Sequence, residues 1–224
     1  MSSCTSNRKG CRNARAFVSE VIGTFALIFI GAGAVAVDAG GVVGAAFAHG
    51  LVVLGFAYAY GHHSGTHINP AVTFGLFVAG EIEAGKMVVY WVAQVLGGVL
   101  GAFVLSIVLM GFTESMGETV PAEGISTGQT ILLEAILTFF LVNAILNTAV
   151  SGKAGDFAPI AIGLTLAFCI LMGGPLTGAS LNPARTLGPA LFSGTIDLFW
   201  VYLVGTFVGA AVAGGLYRTL LKDD

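Results

Sequence analysis

Charge is what this 224-residue chain has least of. Only 9% of its residues are Asp, Glu, Lys or Arg, against roughly 25% in soluble domains. With 56% hydrophobic residues and a mean hydropathy of +0.91, the chain is an integral membrane protein rather than a soluble one. No basic tract is long enough to engage nucleic acid, and the net charge of −3 points to no particular partner. The first apolar run is too long for a cleavable leader and reads as a helix that stays in the membrane. Cysteine is scarce. Cys4 and Cys11 lie in a polar, basic N-terminal stretch and Cys169 in an apolar segment. They make no disulfide framework and are expected as free thiols. No Cys/His spacing suits a metal, and no nucleophile–base set suggests an enzyme, so neither metal nor cofactor is expected.

Glycine is abundant instead. Its 33 copies are about twice the usual ~7% share, and small residues let membrane helices pack backbone to backbone. Gly97, Gly98, Gly101, Gly205 and Gly209 are expected at such contacts. Six apolar segments near 16–37, 41–61, 86–110, 129–150, 157–173 and 197–220 are each close to the ~20 residues that a spanning helix needs. Two shorter ones, near 69–80 and 182–193, are re-entrant candidates. Arg8, Lys9, Arg12, Arg15, Lys86, Lys153, Arg218 and Lys222 all fall on one side of this arrangement. Basic residues mark the cytoplasmic side, so both termini are expected there. Arg185 is the one basic residue assigned to the outer half, and it is not a topology signal.

The two halves match in order. EVIGTF (Glu20–Phe25) returns as EAILTF, HGLVVLGF (from His49) as IGLTLAFC, and HINPAVTFGLF (from His67) as SLNPARTLGPALF. AQVLGGVLGA (from Ala93) returns more weakly as GTFVGAAVAG. The offset stays at about 112 to 114 residues. Three spans per half is an odd number, so the second copy enters the membrane upside down. Such inverted repeats are typical of transport proteins. The expected fold is an all-α membrane protein with six transmembrane helices and two re-entrant half-helices. Residues 1–15 are read as a cytoplasmic tail and 16–224 as a single channel domain, with repeat one near 16–110 and repeat two near 129–221.

Both short segments open on Asn-Pro-Ala, at Asn69, Pro70 and Ala71 and at Asn182, Pro183 and Ala184. Pro suits the first helical position, where its missing N–H costs nothing. Asn is a strong N-cap, and its side-chain NH₂ remains as a donor. Two such helices meeting end to end aim two amides and two positive helix ends at one point. Irregular backbone at that depth has to be packed or to line a polar cavity. Carbonyls leading to a positive centre suit a neutral hydrogen-bonding solute and repel protons and cations.

With both motifs in the contexts SGTHINPAVT and LNPARTLGP, the paired Glu20 and Glu134, and six spans, the chain resembles the aquaporin, or major intrinsic protein, family from about Phe17 to Leu221. The resemblance implies a homotetramer in the lipid bilayer, one pore per protomer, and passive flow of water and small neutral solutes without a cofactor. It also implies an outer constriction at His49, Ile170, Ala179 and Arg185. Strict water channels of the family show Phe, His, a small residue and Arg there, and glycerol facilitators show Trp, Gly, Phe and Arg. His-Ile-Ala-Arg resembles the filter of plant vacuolar aquaporins, which pass water and often ammonia or urea. Three alternatives stay open at this point: a glycerol uptake facilitator, from another class an ion-coupled secondary transporter, and a structural, adhesion-type member with a closed pore.

Three further expectations follow. Glu20 and Glu134 accept backbone N–H bonds from the two broken loops rather than relay protons. His67 belongs to the loop before Asn69, as packing or as pore wall. His62 and His63 lie at the cytoplasmic end of span two.

Overall fold

The structure is a computed structural model, and it describes residues 8–222. Helix α1 (Arg8–Ala26) runs on through a π-helical stretch (Leu27–Ala32) into Gly33–Ala36. Helices α2 (Gly41–Ser64), α3 (Pro70–Val78) and α4 (Ala84–Val108) complete the first half. In the second half α5 (Thr127–Ile145) passes into a π-helical stretch (Leu146–Val150), and α6 (Ala158–Thr177) and α7 (Pro183–Ser193) follow. Last comes α8 (Phe199–Leu216), which ends in a third π-helical stretch (Tyr217–Leu221). Six helices are long and apolar enough to cross a membrane, and no strand occurs among the described residues. The short helices α3 and α7 stand where re-entrant half-helices are expected.

The boundaries differ from expectation in two places. Helix α1 starts at Arg8, inside the segment read as a tail, because RKGCRNARA is mostly residues that tolerate a helix well. Helices α2 and α6 run on to Ser64 and Thr177. Each stops at a glycine in the left-handed region, Gly65 (φ 87°) and Gly178 (φ 78°), the usual helix terminator. Cys169 is buried and free, whereas Cys11 is disulfide-bonded, which corrects the expectation of a free thiol there. Cys4 lies outside the described residues.

The spans are apolar all round, and each divides its apolar surface between two partners. One face enters the protein, while residues such as Val18, Leu51 and Val92 stay exposed on the other, as helices facing lipid require. Packing follows the repeat. α1 lies on α4 and α5 on α8, while α2 crosses α6. The short helices change sides: α3 packs on α8 and α7 on α4. Glycines make these approaches possible. A Cβ on Gly50 would stand 2.6 Å from the Gly163 carbonyl oxygen, and one on Gly163 would stand 2.7 Å from that of Gly50. The two are repeat counterparts, so α2 and α6 touch backbone to backbone at the centre of the pseudo-symmetry. Gly97 and Gly101 likewise abut α1, Gly205 and Gly209 abut α5, and Gly98 meets Ala184 of α7.

Candidate functional site

Each long-helix end leads into a broken loop with left-handed backbone at non-glycine residues. Thr66 and Ile68 have φ of 50° and 42°, and Ala179 and Leu181 have φ of 44° and 54°. Such residues cost about 1–3 kcal/mol each and persist only where the surroundings over-determine them. The surroundings here are two fully buried carboxylates. Glu20 of α1 accepts from the backbone N–H of His67 (2.9 Å) and Ile68 (2.6 Å) and from Gln94 Nε2 (2.8 Å). Glu134 of α5 accepts from the backbone N–H of Ser180 (3.0 Å) and Leu181 (2.9 Å) and from the Thr177 hydroxyl (2.8 Å). Both oxygens of each carboxylate are used as acceptors, which is how a buried carboxylate becomes tolerable.

The loops deliver the two asparagines. Asn69 Oδ1 accepts from the N–H groups of Ala71 (2.8 Å) and Val72 (3.3 Å), and Asn182 Oδ1 from those of Ala184 (3.0 Å) and Arg185 (3.3 Å). Pro70 and Pro183 occupy the first helical positions. The amide nitrogens do more than the sequence suggests, because they cross. Asn69 Nδ2 donates to the Leu181 carbonyl (2.8 Å) and Asn182 Nδ2 to the Ile68 carbonyl (2.9 Å). One N–H of each amide thus locks the two broken loops together. The other is left as a donor at the helix end, where the macrodipole is positive.

Two cavities flank a narrow point. With the side that carries the basic residues taken as the inner one, the outer cavity, about 360 Å³, is lined by Asp38, Glu118, Ile170 and Gly178 among others, and the inner one, about 350 Å³, by His67, Asn69, Asn182 and a mostly apolar wall. His49 and Arg185 line both cavities. His49 Nδ1 is 2.8 Å from the Ala45 carbonyl, so it carries the proton there, and in a neutral ring Nε2 is an acceptor. Arg185 Nη1 donates to the Gly117 carbonyl at 2.6 Å. His49 Nε2 and Arg185 Nε are buried and no protein group partners them. Buried polar atoms are nearly always bonded, so these two carry unmet hydrogen-bonding capacity. Between them the two residues hold one unpartnered acceptor and one unpartnered donor beside a fixed positive charge.

The structure brings His49, Ile170 and Arg185 to one cavity wall. Ala179 follows Gly178, which lines that wall, and its Cβ lies beside Gly173. His67 is both packing and wall, with Nδ1 3.1 Å from the Thr73 hydroxyl and its ring edge-on to Tyr90, yet in the inner cavity lining. His62 and His63 sit in the last turn of α2 with ring centroids 3.8 Å apart. Cys169 packs toward the Leu137 carbonyl. No group of three or more His, Cys, Asp or Glu able to hold a metal occurs among the described residues.

Sequence reasoning missed the groups that tie the loops down. Tyr90 donates its hydroxyl to the Ser64 carbonyl (2.8 Å) and Tyr202 donates to that of Thr177 (2.7 Å), satisfying the carbonyls at the ends of α2 and α6. Extending the weak AQVLGGVLGA match three residues toward the N-terminus would have reached this pair. Gln94, Gly117 and Thr119 were missed as well. The Thr119 hydroxyl is 2.9 Å from that of Thr186, which is 2.6 Å from that of Ser180.

Known proteins share this architecture. The family model described as "Major intrinsic protein" matches residues 7–217. A probable aquaporin TIP1-2 of Oryza sativa subsp. japonica is 41% identical over 217 residues, which cover 91% of this chain and 85% of that one. Glycerol uptake facilitator protein-like 6 of Lactiplantibacillus plantarum is 36% identical over 219 residues, 94% of this chain and 100% of that one. Among solved structures, the aquaglyceroporin of Plasmodium falciparum superposes with a TM-score of 0.84 at 28% identity, covering 94% of this chain and 97% of that one.

Proposed function

This chain belongs to the major intrinsic protein family and is a passive, multi-pass membrane channel for water and small uncharged solutes, and from that premise we propose which solutes it selects and with which residues. It is not an enzyme, and the ion-coupled alternative falls away with the family. His49, Ile170, Ala179 and Arg185 form the selectivity filter. Asn69, Pro70 and Ala71 with Asn182, Pro183 and Ala184 form the pore centre, and Glu20 and Glu134 are structural. The carrying observation is that His49 and Arg185 line both cavities, each with an unpartnered buried nitrogen.

A solute at that point meets one acceptor, one fixed cation with donors, and the apolar Ile170. Water, ammonia and urea satisfy such a set, whereas a cation meets Arg185 without compensation. The likeness to the plant TIP aquaporins supports this preference. Glycerol is the second reading, favoured by the likeness to the bacterial facilitator along its whole length. Both termini face the cytoplasm, as the placement of basic residues supports, and the channel assembles as a homotetramer with one pore per protomer. Residues 1–15 precede a single channel domain, 16–224, built of the two repeats.

The test is stopped-flow light scattering on one proteoliposome preparation with water, urea and glycerol, joined to an ammonia pH assay. Water, urea and ammonia fluxes well above those of empty vesicles are expected. A glycerol rate far above the water rate would overturn the preference. Ile170→His with His49→Phe should narrow conduction toward water, and unchanged urea and ammonia flux in that variant would refute the filter assignment.

A further inference from the structure

The His49 ring has a neighbour that is defined by what it lacks. Gly31 lies in the π-helical stretch of α1. A Cβ built on it would fall 2.6 Å from His49 Cδ2, 2.7 Å from Nε2 and 2.9 Å from Cγ, distances that a methyl group and a ring do not tolerate. The ring cannot simply retreat, since Nδ1 is tied to the Ala45 carbonyl. Gly31 therefore abuts the Cδ2–Nε2 edge of the ring, and any side chain there has to displace it.

The repeat offers a control within the same chain. The counterpart of Gly31 is Ile145 and the counterpart of His49 is Ile162, both in the wall of the inner cavity. A ring stands opposite a glycine in one half, and two isoleucines occupy the same places in the other. The π-helical stretch backs the second filter residue too. A Cβ on Gly117 would collide with the carbonyl of Ala32, the last residue of that stretch, and the Gly117 carbonyl is the one that holds Arg185. π-Helical stretches recur at functional sites because they shift the register of a helix face locally.

We propose that Gly31 is a selectivity-determining position: the π-helical stretch of α1 sets where the His49 ring stands, and filling the space against the ring displaces it and narrows the channel for solutes larger than water. This inference rests on the reading of His49 as part of the constriction. Gly31 acts through His49 and is a positioning residue.

Four proteins test it: wild type, Gly31→Ala, His49→Ala and the double variant, each measured for water and urea permeability and for recovery of folded channel by size exclusion. Gly31→Ala should lower the urea-to-water permeability ratio about tenfold, the scale expected of one overpacked methyl. The double variant should match His49→Ala alone, because coupled neighbours are non-additive. An unchanged ratio in Gly31→Ala, or the same drop in the His49→Ala background, would overturn the inference. Should Gly31→Ala fail to fold, recovery of the double variant supports the clash with His49, and its failure too assigns Gly31 to helix packing and overturns the inference. An unchanged ratio in His49→Ala would instead sink the filter reading itself, which separates the two claims.

Discussion

The outer and inner ends of the pore are built on the same backbone and finished with different side chains. By the repeat, Arg185 corresponds to Val72, His49 to Ile162, Ile170 to Ala57 and Ala179 to Thr66, and the four inner residues all line the inner cavity. Around them the scaffold is duplicated closely. Each half has a buried glutamate holding two loop amides, an asparagine cap, an amide crossing to the other loop and a tyrosine closing a helix end. Scaffold and selectivity are therefore separable. The repeated parts position the loops, and the polar residues proposed to choose the solute occupy one end only.

The scaffold is not perfectly even, and its weakest copy gives the largest expected effect. Glu20 is backed by Gln94, whose Oε1 is buried without a partner and can turn toward an orphaned loop amide. The counterpart of Gln94 is Thr206, whose hydroxyl is bound to the Tyr202 carbonyl of its own helix. Glu134→Ala should cost about 2–6 kcal/mol, from two buried amides at about 1–3 kcal/mol each. Glu20→Ala should cost measurably less. Thermal unfolding of both variants in detergent checks the order, and equal losses would remove the asymmetry.

Arg185→Val copies the inner Val72 into the outer position and should erase the functional difference between the ends. Urea and glycerol flux should rise about tenfold relative to water, corresponding to ~1.4 kcal/mol, and proton leak should become detectable with a trapped pH dye. A variant as selective and proton-tight as wild type would mean that the constriction is not where His49 and Arg185 meet.

Tyr90→Phe and Tyr202→Phe probe the part that the halves share. Each removes one hydrogen bond to a helix-end carbonyl and should lower stability by about 1 kcal/mol, with the two losses close to equal. A large disparity in their unfolding curves would show that the duplicated geometry hides unequal loads.

The smallest effect is expected at the exposed pair of Lys222 and Glu81, 2.7 Å apart. Glu81 holds the Lys222 ammonium above its ordinary pKa. The contribution of the pair is therefore fully present below that ordinary value and is lost as pH rises through the raised one. Unfolding scans on the alkaline side of the ordinary lysine range, wild type against Lys222→Met, should converge as the pH rises.

How much of this could be read from the residues follows from the repeat itself. Asn-Pro at both short segments marks the helix starts, since cap and first-turn chemistry are local. The spacing from Asn182 back to Ala179 and Ile170 and on to Arg185 survives because no gap fits between them. The partner of Arg185 was illegible for the opposite reason. Gly117 lies in the connector between the halves, which has no second copy to compare. The π-helical stretches were illegible because hydropathy reports that a helix spans, not its register. The crossing of the asparagine amides was illegible because each bond ends on a backbone carbonyl of the other half, which residue types and spacing do not encode.

The exchange of short helices between halves has a consequence for how the protein is made. A ribosome finishes α3 before either of its partners exists, since Asn69 waits for the Leu181 carbonyl and α3 for the face of α8. Over that stretch of more than a hundred residues, synthesis at about 5–20 residues per second takes on the order of ten seconds. For that time the first broken loop has only contacts within its own half to hold it. The first half is thus born unfinished, and α8, made after the other five spans, is the one that completes it.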